Sequence, residues 1–479
     1  MNPINETDLF DFFYSFMPLV NSHSNDFIIN DLWNKFLPET IRHLIESNDN
    51  PVYILEQYVK CCNEAPVFNN LTVNTNCNWY SLIDTEEKIV DRNIPPNWEI
   101  VSNDLNVFIQ NCAKFSSFKS FINAKDKFFD EIFIDYEMNE KKSYEVEKMS
   151  CLCRNICKEH NIANVVDIGS GKGYLGSDLS ISNGLNVIEL DSRESNKTGA
   201  LNRRKRFMMQ VPSKKRKVNA SENLKIGSCR SIARNITSTD TISKILLEEG
   251  FSNANYLMTG LHSCGGLSST MLRNFVDCQD AKAIVLVGCC YHLLNEKFVN
   301  NFQNDQFEVS DFPLSNQFQK SGIILGRNAK TFASQTVRRV LRDGNLHPTM
   351  FHRILLQKLL NDKLGYVSDN WIVGKIGKKI KDENNFEEYV RISCRKLGFV
   401  DLIENMTSEE IKEYEIKYSH LKFRFTNFFY LKCCLSAIVE NLVILDRLIY
   451  LAENGIDAQV LELFDELRSP RRYAIVAIK

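Results

Sequence analysis

Apolar positions in the first hundred or so residues recur at helical intervals, most clearly over 31–47, 52–62 and 105–115. Near residue 140 the pattern changes. Residues 141–160 keep helical spacing, but Asn164-Val165-Val166-Asp167-Ile168 is a short β-branched run, and 174–182 returns to a helix. A second apolar strand over 185–190 ends at Asp191. Further strands follow at 256–261 and 281–288, with a helix at 268–275 between them. Alternation of this kind predicts a parallel sheet with helices on both faces. One long helix over 432–451, then two closing strands at 458–463 and 473–478, would complete a seven-stranded sheet, six of whose strands the pattern places.

Boundaries follow from the same pattern. Ile94-Pro95-Pro96-Asn97-Trp98 breaks helix and ladder alike. Residues 1–125 are expected to form an N-terminal helical region, and 126–315 the core of the sheet domain, with a basic insertion at about 200–222. Residues 316–430 would be a helical insertion before the last two strands, and 431–479 the final helix and those strands.

Composition narrows the class. With 44% hydrophobic and 25% charged residues, the chain reads as globular. Its most apolar stretch, 428–452, is interrupted by Lys432, Glu440, Asp446 and Arg447, which predicts a buried helix and no membrane span. The first residues lack the basic-then-apolar pattern of a secretory signal. Fifteen cysteines, including the vicinal pairs Cys61-Cys62, Cys289-Cys290 and Cys433-Cys434, form no regular framework, so reduced thiols in the cytoplasm or nucleus are expected. The net charge of −2 hides an uneven distribution. Eight cations between Arg203 and Lys217 contribute +8, so the remainder carries −10. Lys214-Lys215-Arg216-Lys217-Val218 has the pattern of a nuclear-localisation sequence. The segment 203–217 could equally hold RNA phosphates or be a solvated loop.

The most informative local feature is Asp167-Ile168-Gly169-Ser170-Gly171-Lys172-Gly173, between a strand and a helix. Glycines at alternate positions let backbone approach a ligand where a Cβ would collide. G-x-G-x-G after an acid favours S-adenosylmethionine over a dinucleotide, whose loop reads G-x-G-x-x-G. Asp191, about twenty residues on, stands where an acid can accept the ribose hydroxyls. Gly260-Leu261-His262-Ser263-Cys264-Gly265 ends a strand on the substrate side of such a sheet. The backbone near Leu261 would reach the reacting centre, and His262 is either a general base or a histidine that shapes the pocket. Gly288-Cys289-Cys290-Tyr291-His292 ends the next strand. Cys264 or Cys289 could serve as a nucleophile toward a pyrimidine ring, but the spacing of cysteines and histidines fits no standard zinc pattern, so no metal is expected.

Several segments together resemble the methyltransferase-like protein 25 family, some of whose members are named for a ribosomal RNA adenine dimethylase domain. They are Lys141-Lys142-Ser143-Tyr144-Glu145-Val146, the glycine loop, Gly260-Leu261-His262-Ser263-Cys264-Gly265, and Val287-Gly288-Cys289-Cys290-Tyr291. Phe312-Pro313-Leu314-Ser315, Arg327-Asn328-Ala329-Lys330, Leu445-Asp446-Arg447-Leu448 and Ser469-Pro470-Arg471 complete the set. The resemblance implies a Rossmann-like, seven-stranded class I methyltransferase sheet using S-adenosylmethionine, with RNA as acceptor. A tRNA ribose methyltransferase family is similar at the His-x-Cys-Gly and Cys-Cys segments. Tyr144 stands where the family commonly has histidine. The Asn- or Asp-Pro-Pro-aromatic motif of adenine-N6 enzymes is replaced by Gly260-Leu261-His262-Ser263, so methyl transfer to another nitrogen or an oxygen is expected. Two alternatives stay open: a protein methyltransferase, given the acidic balance outside 203–217, and a non-catalytic scaffold that binds the cofactor.

Overall fold

The computed structural model describes residues 6–64, 95–116, 138–218, 226–237, 240–250, 255–298, 310–344, 346–368, 371, 373, 376 and 380–479, the side chains of 6–8 and 210–218 excepted. The chain forms two compact units, each gathered from separated stretches of sequence.

The first unit comprises Met1–Pro66, Ile89–Ser117 and Gln335–Ile438. The expected helical insertion therefore folds largely together with the N-terminal helices. Its helices include Glu6–Asn21, Leu105–Ser116, Pro348–Leu364 and Phe386–Leu397. The core here is aromatic. Phe16 meets Trp98 edge-on at 5.0 Å and Phe108 at 4.7 Å, and the buried indole Nε1 of Trp98 donates to the Phe36 carbonyl.

Among the described residues, the second unit comprises those of 138–334 and Val439–Lys479. Its sheet contains β1 (Asn164–Ile168), β2 (Asn186–Asp191), β3 (Cys229–Ala233), β4 (Tyr256–Cys264), β5 (Ala281–Cys289), β6 (Ala458–Glu462) and β7 (Tyr473–Ile478). Their order is β3-β2-β1-β4-β5-β7-β6, with β7 antiparallel to both neighbours and β1 to β5 mutually parallel. This is the Rossmann-like class I arrangement. Alternate residues feed two cores. Val165, Val187, Leu257 and Val285 pack with the helices Glu140–Glu159 and Tyr174–Ile181. Val166, Ile188, Met258 and Ile284 pack with Leu267–Asp277 and the later turns of Leu421–Glu453. Each such side chain contributes roughly 1.5–3 kcal/mol on burial, and doubly covered strands explain the continuous apolar runs of β1 and β5.

Two features depart from the sequence pattern. β3 was not anticipated: in Cys229-Arg230-Ser231-Ile232-Ala233 only Ile232 is β-branched and apolar, as a short strand at a sheet edge allows. The basic segment, anticipated as an insertion, is part of a helix, Glu194–Val218.

Leu421–Glu453 is long and apolar enough, by length and composition, to cross a membrane, yet 94% of its apolar window is buried within the protein. Its charges have internal partners. Lys432 Nζ donates to the Ser22 carbonyl at 2.7 Å, Tyr291 Oη donates to Glu440, and Arg447 donates to Ser268 Oγ at 2.6 Å. Asp446 accepts from the Leu314 and Ser315 amides and from Ser315 Oγ.

Candidate active site

The sheet reverses its order of connection between β1 and β4, and the carboxyl ends of these strands carry the chemically distinctive residues. Open parallel sheets bind ligands in the crevice at such a switch point. The glycine loop leaves β1 with Gly169, Gly171 and Gly173 all at positive φ (73°, 55° and 68°). The Gly169 and Ser170 amides donate to the Leu190 carbonyl, and Gly173 closes the turn onto the Ser170 carbonyl. A Cβ on Gly171 would meet nothing within 4 Å, whereas one on Gly173 would lie 2.7 Å from Ala200 Cβ. Gly173 is thus fixed by packing, and Gly171 borders open space of the kind a ligand fills. Lys172 is exposed, and its carbonyl accepts from Arg203.

Asp191, at the end of β2, is tied to this loop. Its Oδ2 accepts from the Gly171 amide at 2.8 Å, while Oδ1 accepts from the Arg193 amide and Asn196 Nδ2, both at 2.9 Å. Three of the roughly four acceptor positions of a carboxylate are already used. Asp191 therefore has room for about one more donor, and contact with both ribose hydroxyls would displace an existing bond. Asp167 is buried, with Oδ2 lacking a partner among the described residues. Burial, then the charges of Glu189 and Asp191, push its carboxyl well above the usual range. An orphaned buried oxygen and an open glycine position at one loop fit a bound small molecule with a hydrogen-bond donor.

Across the switch point, β4 carries Leu261, half-buried and paired with Val287, then His262 at φ 67° in a bulge. His262 Nε2 lies 3.0 Å from Glu145 Oε2. Glu145 is buried on the helix Glu140–Glu159 and also accepts from Ser469 Oγ at 2.6 Å. Burial pushes the Glu145 carboxyl up, but the hydrogen bond and charge of His262, the Ser469 bond and Lys141 together hold it below the ordinary value. A carboxylate on Nε2 fixes the ring and leaves Nδ1 as the free position. Glu145 and Ser469 were present in the family segments without a role. A sequence signal did exist: Glu145 stands at helical spacing with Met149, Leu152 and Ile156, a carboxylate in a buried stripe.

Three cations gather beside the glycine loop. Lys142 Nζ lies 4.8 Å and the Arg203 guanidinium 4.3 Å from the centre of the Tyr174 ring. Burial, followed by the charge of Lys172, lowers the Lys142 amine. Arg204 is used differently, donating to buried Glu189 at 2.7 Å and to the Cys229 carbonyl. Of the basic run 203–217, the side chains beyond 209 lie outside the described residues.

The structure also assembles what spacing along the chain did not suggest. Cys264 at the end of β4 and Cys289 at the end of β5 are paired in register, with sulfurs 3.1 Å apart, and Cys290 Sγ lies 3.7 Å from Cys289. Hydrogen bonding from Cys289 brings the Cys264 thiol down to about 6 against its own burial, with Cys290, His262 and Arg471 acting the same way. The hydrogen bond to Cys264, then burial, push Cys289 up. Tyr144, in place of the family's histidine, is structural: its hydroxyl accepts from the Asp465 amide, and Arg468 stacks 3.7 Å above its ring.

The sheet order and the glycine loop define a Rossmann-like methyltransferase, and residues 141–297 match a family model described as a methyltransferase domain. The chain is 30% identical over 455 residues to a Mus musculus protein named "Probable methyltransferase-like protein 25", covering 71% of this chain and 75% of the relative. The Homo sapiens protein of that name is 29% identical over 456 residues, with the same shares covered. This chain belongs to the methyltransferase-like protein 25 family.

Proposed function

We propose that this methyltransferase takes its methyl group from S-adenosylmethionine and delivers it to a nitrogen or oxygen of RNA. The observation that carries the cofactor reading is the loop itself: three left-handed glycines, open space above Gly171, and a tether to Asp191. When bound there, S-adenosylmethionine would supply an electrophilic methyl on a sulfonium. The chain's part is then to hold and align, which can supply a large share of the acceleration. Asp191 would accept a ribose hydroxyl, the loop backbone and Asp167 would hold the methionine end, and the backbone at Leu261 would border the transferred methyl. His262, held through Nε2 by Glu145, would take the acceptor's proton at Nδ1. Support for RNA comes from Lys142 and Arg203 over the Tyr174 ring, with the charge of Lys172 acting on Lys142, a cationic patch with an aromatic face beside the loop.

Calorimetric titration with S-adenosylmethionine and its demethylated product tests the first half. The wild type should bind both. Gly171→Arg should abolish binding by filling the open space, and Asp191→Ala should weaken it roughly ten- to hundredfold, as loss of bonds to a charged acceptor implies. Absence of binding in the wild type would refute the reading. Labelled methyl transfer into fractionated lysate tests the second half: incorporation should disappear on ribonuclease treatment and fall steeply with salt. Incorporation that survives ribonuclease would assign a protein acceptor, the alternative favoured by the acidic balance outside 203–217.

A further inference from the structure

Among the described residues, Cys264, Cys289 and Cys290 place their three sulfurs within 4.8 Å of one another. The backbone is bent at two points to achieve this. β4 and β5 run in step from Leu257 and Ala283 as far as Leu261 and Val287; a bulge at His262 then shifts the register, so that Ser263 pairs with Gly288 and Cys264 with Cys289. Had the two strands stayed in step, with His262 opposite Gly288, Cys264 would stand opposite Cys290. The bulge residue His262 and Cys290 itself both adopt left-handed backbone, at φ 67° and 51°. Non-glycine residues pay for that conformation with roughly 1–3 kcal/mol each, and such strain collects where a site must be shaped.

We propose that Cys264, Cys289 and Cys290 bind one zinc ion through three thiolates, leaving the fourth tetrahedral position open on the exposed side of Cys264. Zinc–sulfur bonds of about 2.3 Å in tetrahedral geometry separate thiolates by about 3.8 Å. The Cys289–Cys290 pair is already near this distance at 3.7 Å, and the Cys264–Cys289 pair at 3.1 Å needs only to open slightly. A disulfide would draw one pair to about 2.0 Å and leave the third thiol without a purpose. Three protein ligands with one open position is the arrangement of zinc sites that admit water or substrate, whereas purely structural sites are closed by four. Binding releases the thiol protons to solvent and leaves a net charge of −1 on the cluster. Arg471, whose charge acts on both Cys264 and Cys290, offsets it; its Nη1 is buried without a hydrogen-bond partner among the described residues. The proposal goes beyond the methyl-transfer reading and does not depend on it.

The test is metal analysis of the full chain, purified under reducing conditions without chelator, by plasma mass spectrometry. The wild type and a Cys151→Ser control should each carry about one zinc per chain, and Cys264→Ser and Cys290→Ser should each lose most of it. Cys289 is buried and its substitution endangers the fold, so it is left intact. Cobalt replacement gives a second readout that needs no variant: the wild type should develop a thiolate-to-cobalt charge-transfer band. A wild type that is zinc-free and takes up no cobalt would overturn the proposal, as would zinc content unchanged in both variants. Calorimetry with S-adenosylmethionine on the same samples separates this outcome from failure of the cofactor reading.

Discussion

The contact between Glu145 and His262 separates two roles that geometry alone would blur. Glu145 is buried, carries a carboxyl held below its ordinary value, and accepts from both His262 and Ser469. If it only braced the fold, exchanging it for glutamine would change stability and nothing else. If it positions His262 as a base, its loss frees the ring to leave the reactive orientation. Glu145→Gln should then reduce the methyl-transfer rate on the order of tenfold or more and leave S-adenosylmethionine affinity unchanged. A rate that does not fall would assign Glu145 to structure alone. Cys264 illustrates the same point from the other side, since its lowered thiol pKa follows from neighbours brought together by two strands.

At the level of elements, the family segments outside the crevice act as a brace. The turn Phe312-Pro313-Leu314-Ser315 is held to the helix Leu421–Glu453 by three hydrogen bonds to Asp446. The next residue, Arg447, reaches Ser268 Oγ, and its Nη1 would lie 2.5 Å from a Cβ on Gly288. Glu296 accepts from the Leu325 and Gly326 amides and pairs with Lys330 at 2.7 Å. Removing Asp446 leaves the Leu314 and Ser315 amides and the Ser315 hydroxyl without their acceptor, so Asp446→Ala should destabilise the protein by about 1–3 kcal/mol for each unmatched amide, read as a lower urea midpoint; a change under about 1 kcal/mol in all would show the brace to be dispensable. These elements also mark how far the sequence was legible. β1, its glycine loop and Asp191 were readable because adjacent residues write them: a β-branched run, alternating glycines, an acid at the next strand end. β6 and β7 were readable for the same reason. β3 was not, because an edge strand needs little apolar character. The three-cysteine cluster and the gathering of 335–438 with the N-terminal helices were not, because contacts between distant segments decide them.

Across the whole molecule, one helix carries buried ionisable groups whose effects on stability have opposite sign. Burial raises the Glu440 carboxyl to about 7 and Asp446 to about 6, and lowers the Lys432 amine to about 7. Lys432 belongs to the helical unit, Glu440 and Asp446 to the sheet unit. Between pH 4.5, where a glutamate in the unfolded chain gives up its proton, and about 7, the folded state holds the extra proton at Glu440. Stability from this group therefore falls as pH rises through that window. Lys432 works the other way. Between about 7 and 10.5 the unfolded chain holds the extra proton, so stability rises with pH. Together these groups predict a trough near neutrality. Urea unfolding of wild type, Glu440→Gln and Lys432→Met across this range isolates each contribution. The wild type should lose on the order of 3 kcal/mol relative to Glu440→Gln between about pH 4.5 and 7, and nothing further above that. Relative to Lys432→Met it should gain only above about pH 7. Parallel curves for wild type and either variant would mean that the group in question does not titrate in the folded state as its burial implies.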